Sequence, residues 1–191
     1  MNLNNLALVE YGKGNRKQGI DLLRQSLEMS RRVLGPEHPD LAARAITLAY
    51  WLVDAGQFAE AALLVDEGLA IRRKVLGLEH PSVAGALTVK ANLLIATGHF
   101  GEARDMASEA ERIIALSLPK DSWQMAAAMN TRGAALTKLG QYSEAEPLLL
   151  ESRDRLGQSP IPNLAERGRE RLVDLYTAWG KKDEARKYFR K

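Results

Sequence analysis

The sequence of 191 residues contains no cysteine, which excludes a disulfide framework, a thiolate metal site and a cysteine nucleophile. Aromatic residues make up only 6% of the chain and leave few side chains for stacking on nucleic-acid bases. No apolar run approaches the roughly 20 residues that cross a bilayer, and Met1 to Leu8 lacks the basic start of a signal peptide. We therefore expect a soluble protein of the reducing cytoplasm, with no membrane partner.

An excess of charge of one sign is also missing, because 27 lysines and arginines are intermixed with 24 aspartates and glutamates. The small surplus of positive charge lies in residues 163–191, which we interpret as a basic end and not as a basic groove. Arginines such as Arg31 and Arg32 recur near the ends of predicted helices, where cations offset the helix dipole. The charge pattern does not favour nucleic acid as a partner.

An internal repeat organises the whole chain. Glycines recur 42 residues apart three times, then once after 40, and a Glu-Ala pair follows most of them. The glycines are Gly14, Gly56, Gly98, Gly140 and Gly180. The segment Leu34-Gly-Pro-Glu-His-Pro39 also recurs as Leu76-Gly-Leu-Glu-His-Pro81, again 42 residues later. Two independent markers therefore give the same repeat length.

Between these markers, apolar residues recur at spacings of three and four, which is the periodicity of a helix. Each repeat is predicted to be helix, turn, helix, with the glycine closing the first helix and the proline opening the next repeat. Small residues such as Ala7 and Gly19 lie twelve positions apart and should meet across the hairpin. The sequence predicts one all-α domain over 1–191, with units at approximately 1–38, 39–80, 81–120, 121–160 and 161–191.

The turn Gly56-Gln-Phe-Ala-Glu-Ala61 and the Leu-Gly-x-Glu-His-Pro linker resemble the tetratricopeptide repeat (TPR) family. The 42-residue period is similar to its long, kinesin-light-chain-like subtype. The resemblance implies an α-α superhelix, a TPR solenoid of about five helix-turn-helix units and roughly ten antiparallel helices. It also implies a protein or peptide partner, held in a concave groove that the first helices line. The match departs from the pattern at Leu118-Pro-Lys-Asp-Ser-Trp123 and at Asn15-Arg-Lys-Gln-Gly19.

First-helix positions that face the groove in such repeats give a set of candidate binding residues. Amides in this set carry both donor and acceptor groups, so Asn4, Asn92 and Asn130 either bind a peptide backbone or are ordinary exposed helix residues. Their joint replacement by Ala is expected to weaken partner capture and to leave the melting temperature nearly unchanged. Tyr11 and Tyr50 fit either aromatic anchors or core packing. The set is Asn4, Leu8, Tyr11, Ile46, Tyr50, Asp54, Thr88, Asn92, Asn130, Lys138, Glu170 and Asp174.

Few residue patterns in this sequence indicate catalysis or metal binding. Glu37 and His38, like Glu79 and His80, place an acid beside an imidazole, but no third ligand lies at a metal-binding spacing. We interpret both pairs as linker residues. No phosphate-binding loop or nucleophile elbow is present. We expect no catalytic residues, no metal and no cofactor, and hence no enzyme.

A scaffold or adaptor that binds a peptide or partner protein is the leading hypothesis. Two alternatives stay open: a regulatory module of a larger enzyme or transcription factor, and a sensor of a small peptide signal. No polar capping helix is evident to cover the last apolar face. Three explanations stay open: the chain is a segment of a larger protein, its uncapped ends pair with a partner or by self-association with another copy, or the last face is left partly open.

Overall fold

The computed structural model describes residues 3–161 and 163–189. In these residues the chain forms ten helices and no strand, so the predicted all-α fold is confirmed. Each predicted unit boundary falls in a connection between two helices. The helices are α1 Leu3–Gly12, α2 Arg16–Leu34, α3 Pro39–Asp54, α4 Phe58–Leu76, α5 Pro81–Ala96, α6 Phe100–Ser117, α7 Trp123–Lys138, α8 Tyr142–Leu156, α9 Leu164–Ala178 and α10 Lys182–Arg186.

The turn inside each unit follows one design. In the second unit, α3 ends at Asp54, and Gly56 adopts a left-handed conformation with φ 73°. The amide of Gln57 then donates a hydrogen bond of 2.9 Å to the carbonyl of Leu52, which closes the helix end. The repeat glycine therefore lies two residues beyond the first helix, where a side chain would be strained.

The linkers between units also share a design. Pro39 and Pro81 occupy the first helical positions, as predicted. The preceding histidines, His38 and His80, are helix N-caps, and the Nδ1 atom of each accepts a hydrogen bond of 3.1 Å from a backbone amide. In the aberrant third linker, the hydroxyl of Ser122 caps α7 by accepting from the Met125 amide at 3.3 Å. Ser122 therefore preserves the capping function although the Glu-His-Pro motif is lost.

The units stack by burying small residues between helices. Ala7, Ala49 and Ala91 are fully buried, and Gly19 lies directly against the backbone of α1. Every helix packs on its neighbours in sequence, and the first helices α3, α5, α7 and α9 also contact one another in order. The result is an all-α repeat solenoid with a continuous row of first helices. Within the described ranges, no helix has the length and hydropathy required to cross a membrane.

Candidate binding groove

Helix α9 of the fifth unit reaches across the row of first helices to the second unit. Arg167 forms an ion pair with Asp54, which lies 113 residues earlier at the end of α3. Its guanidinium carbon also lies 4.8 Å from the ring centroid of Tyr50, a cation–π contact. Both members of the ion pair are largely shielded from solvent, with 19% and 18% of their side-chain surfaces exposed. The fifth unit is thereby joined directly to α3.

A second arginine, one turn further along α9, joins the third and fourth units. Arg171 donates hydrogen bonds to the amide oxygens of Asn92 and Asn130, the latter at 2.8 Å. It also contacts the hydroxyl of Thr131 at 3.2 Å. The amide nitrogen of Asn130 in turn donates to the Ser152 hydroxyl at 3.0 Å. We call Arg167 and Arg171, together with these partners, the arginine latch.

The environment of the latch disfavours the charge of Arg171. Desolvation, together with the neighbouring charge of Arg167, lowers the pKa of Arg171 to about 9. The partners that touch Arg171 are amide and hydroxyl oxygens, and no described carboxylate forms an ion pair with it. The hydrogen bonds described for the Arg171 guanidinium thus all go to neutral oxygens.

The structure divides the predicted groove residues by exposure. The buried residues are Tyr11, Ile46, Tyr50, Asn92 and Asn130. The partly buried residues are Asn4, Asp54 and Thr88, and the exposed residues are Leu8, Lys138, Glu170 and Asp174. The expectation that Asn92 and Asn130 offer their amides to a peptide needs correction. Both side chains are buried and are hydrogen-bonded to Arg171 in this structure.

The two groove tyrosines differ in their surroundings. Tyr11 stacks on Trp51 with ring centroids 4.0 Å apart, so core packing is the interpretation that the structure supports for it. Burial raises the pKa of Tyr11 to about 12. Tyr50 lies beneath Arg167, and its buried hydroxyl has no hydrogen-bond partner. Of the two, only Tyr50 keeps a polar group for a ligand.

Two cavities flank α9 on this concave side. The outer cleft has a volume of about 410 Å³, and its charged walls include Asp54, Arg167, Glu170, Arg171 and Asp174. The inner chamber has a volume of about 340 Å³ and a mostly apolar wall. Five predicted groove residues line the inner chamber: Leu8, Ile46, Tyr50, Thr88 and Asn92. The outer cleft is lined by Asn92 and three others of the predicted set: Asp54, Glu170 and Asp174.

Sequence reasoning missed the arginines of the latch. Arg167 and Arg171 belong to the basic residues 163–191, which we interpreted as an end and not as part of the groove. The structure places both of these side chains in the wall of the inner chamber. Their spacing of four residues, which places two side chains on one helix face, was the available signal.

The linker histidines make no metal site with their neighbours. The Nδ1 atoms of His38 and His80 are occupied by the capping hydrogen bonds. Across the part of the chain that the structure describes, no group of three or more histidine, aspartate or glutamate side chains is arranged to hold a metal ion.

Comparison with known proteins agrees with this geometry. A tetratricopeptide repeat model matches residues 1–74, and two further tetratricopeptide repeat models match residues 125–156 and 167–191. Together these models match more than half of the chain. The chain belongs to the tetratricopeptide repeat family. Among curated proteins, none gives a significant match to this sequence.

Solved structures superpose on nearly the whole chain. TPR-like repeats ascribed to a kinesin light chain of Podosopora anserina are 26% identical with a TM-score of 0.71, and the match covers 97% of this chain and 89% of that one. BtubC (BKLC) from P. vanneervenii is 19% identical, with a TM-score of 0.70 and coverage of 97% and 75%. The apo form of RapI is 16% identical, with a TM-score of 0.67 and coverage of 97% and 66%. The last two likenesses concern the fold alone.

Proposed function

We propose that this TPR protein is an interaction scaffold or adaptor that holds a peptide or a partner protein against its concave face. The observation that carries the proposal is the outer cleft, in which Asp54 of α3, Asn92 of α5 and Asp174 of α9 converge. A cleft built from three units presents polar and charged groups from several helices to one ligand. The kinesin-light-chain likeness at 26% identity supports a role in protein binding.

The accessible part of the cleft differs from the part that the sequence favoured. Asp174 exposes 61% of its side-chain surface and Lys138 exposes 46%, and their charged atoms are 4.0 Å apart. An exposed ion pair of this length contributes little to stability, so its atoms remain free to exchange partners. We propose that Lys138, Glu170 and Asp174 contact the partner, whereas Asn92 and Asn130 hold the latch.

Affinity capture from a cell lysate with charge-reversed variants tests this proposal. The double variant Glu170→Lys, Asp174→Lys is expected to lose bound partners that the natural chain retains, as resolved by mass spectrometry. The matched control is Asp105→Lys, Glu144→Lys, which reverses two exposed charges on the second helices α6 and α8. Equal capture by both double variants, with unchanged helix content, would remove the outer cleft from the binding site.

A second candidate function is the sensing of a peptide signal, and the arginine latch favours it. The bond between Arg167 and Asp54 fixes the fifth unit relative to the second. A ligand that competes for either side chain would release that constraint and change the pitch of the solenoid. Small-angle scattering with and without a captured peptide distinguishes sensing from passive binding, because only sensing changes the radius of gyration.

A further inference from the structure

The charged side chains that line the inner chamber are all arginines among the described residues. They are Arg72 from α4 and the latch residues Arg167 and Arg171 from α9. Only Arg167 is neutralised, through its ion pair with Asp54. Arg72 donates to the backbone carbonyl of Ser82, and Arg171 bonds neutral oxygens, as described above. The chamber therefore contains two guanidinium groups, those of Arg72 and Arg171, that form no ion pair with a described carboxylate.

Uncompensated charge in an enclosed site is costly unless an anion balances it. Desolvation lowers the pKa of Arg72 as it does that of Arg171, because burial disfavours the charged form of each guanidinium. The hydrogen bonds of Arg171 use two of its three nitrogens, so the group retains donor capacity. A bound anion would thus interact with two guanidinium groups, those of Arg72 and Arg171.

The buried hydroxyl of Tyr50 provides a second, independent observation. Tyr50 lines the same chamber, and its hydroxyl has almost no contact with solvent and lacks a hydrogen-bond partner. Buried polar groups are nearly always paired, so an orphan hydroxyl in a cavity wall points to a missing partner. An anionic oxygen fits this role, because a tyrosine hydroxyl donates to it readily.

The apolar wall and the volume of the inner chamber limit the size and polarity of the rest of the ligand. Ile46, Val89, Trp123 and Leu164 supply apolar surface, and the volume of about 340 Å³ is near the lower end of the range for ligand pockets. An extended peptide or a helix is too large to enter. A nucleotide would leave most of its polar groups facing hydrocarbon.

We propose that the inner chamber binds a compact apolar molecule that carries one carboxylate. The carboxylate lies against Arg171 and the Tyr50 hydroxyl, Arg72 adds a second positive charge, and the apolar body packs on Trp123 and Leu164. Such a carboxylate is either the C-terminus of a short apolar peptide or a free arylalkanoic acid. The inference rests on the proposed function in one respect, namely that the concave face is used for binding.

Isothermal titration calorimetry on the full chain tests the proposal with three probes. These are the dipeptide N-acetyl-leucyl-phenylalanine as the free acid, the same dipeptide as its C-terminal amide, and phenylbutanoate. Because a charged hydrogen bond is lost, the amide is expected to bind at least about tenfold more weakly than the acid. Binding of both acids identifies free acids as sufficient, whereas binding of the dipeptide acid alone identifies a peptide C-terminus. The absence of binding by either acid would overturn the proposal.

Single substitutions distinguish a loss of ligand contacts from a loss of folding stability. Arg171→Met is expected to weaken acid binding by about tenfold or more. Because Arg171 also supports the latch, its replacement could weaken binding through a change in the fold, so Arg72→Met and Tyr50→Phe are tested as well. Tyr50→Phe removes a hydroxyl that has no hydrogen-bond partner and should leave stability unchanged. The control is Arg169→Met, whose side chain on the same helix pairs with Glu166 outside the chamber.

If Arg72→Met and Tyr50→Phe both bind the dipeptide acid as the natural chain does, the assignment of the chamber is wrong. Failure of the scaffold proposal is distinguishable from this result. If only the scaffold proposal fails, the outer-cleft variants capture the same partners as the natural chain, while the dipeptide acid still binds and its binding still requires Arg72 and Tyr50.

Discussion

Arg167 in the fifth unit forms an ion pair with Asp54 in the second unit, although two units of the solenoid lie between them in sequence. A solenoid in which each unit contacts only its neighbours would contain no such bond. The pair therefore shows that the row of first helices curves far enough for α9 to approach the end of α3. This curvature also encloses the inner chamber beneath α9.

The ion pair is expected to stabilise the folded chain measurably. A double-mutant cycle with Asp54→Asn and Arg167→Met, followed by urea denaturation, should give a coupling energy of roughly 1 to 3 kcal/mol because the pair is shielded from water. The same cycle on the exposed pair Lys138 and Asp174 should give less than about 1 kcal/mol. Equal coupling energies for the two pairs would show that the latch has no special role.

Asn130 is expected to be a stabilising residue and not a free ligand contact. Its amide connects Ser152 on α8 with Arg171 on α9, so Asn130→Ala removes one buried hydrogen bond from each of these partners. The loss in the free energy of unfolding should be about 2 to 3 kcal/mol. This expectation replaces the earlier one of an unchanged melting temperature.

The control for this substitution is Asn4→Ala, which removes another amide of the predicted groove that lies outside the latch. It should cost less than about 0.5 kcal/mol, as for most partly exposed positions away from such networks. A comparable loss of stability in the two variants would contradict the role that we assign to the Asn130 hydrogen bonds.

The repeat length and the turn residues predicted the helices well, because both are short-range features. Gly56 and Pro81 act on the backbone of their own turn, whatever the rest of the chain does. The groove was predicted less well because it depends on long-range geometry. The repeat register in the sequence predicted Glu170 as a groove residue of α9, whereas the inner chamber is lined by the next residue, Arg171. One residue rotates a helical side chain by about 100°, and no local signal specifies how α9 lies against α3.

The close approach within the first unit predicts a large effect at Gly19. A Cβ atom added there would lie 3.1 Å from the carbonyl oxygen of Ala7 and 3.0 Å from the amide nitrogen of Tyr11. Backbone atoms cannot move aside cheaply, so Gly19→Ala should lower the free energy of unfolding by about 1 to 3 kcal/mol. Urea denaturation followed by circular dichroism measures this change.

Gly101 offers a matched control in α6, because a Cβ atom there would contact nothing within 4 Å. Gly101→Ala should raise stability by up to about 1 kcal/mol, since alanine is the better helix former. Opposite signs for the two substitutions are therefore expected. Two destabilising substitutions of equal size would indicate that helix packing does not determine which small residues are required.

A buried carboxyl group predicts a dependence of stability on pH. Burial raises the pKa of Glu111 to about 7, while Arg132, with its Nε atom 3.1 Å from Oε1, opposes the rise and Glu151 adds to it. Since the pKa in the folded state exceeds the ordinary value of 4.5, folding favours the protonated form. This contribution is complete below about pH 4.5 and is lost as the pH rises through about 7.

Glu111→Gln should therefore remove a decline in stability that the natural chain shows between about pH 5 and pH 8, on the order of 2 kcal/mol. Thermal unfolding at a series of pH values measures the decline. Glu109→Gln is the control, because Glu109 lies on the same helix, is more exposed and pairs with Arg73. The natural chain and the Glu109 variant should share one slope, and the Glu111 variant should be flatter. A Glu111 variant with the natural slope would mean that another group titrates in this range.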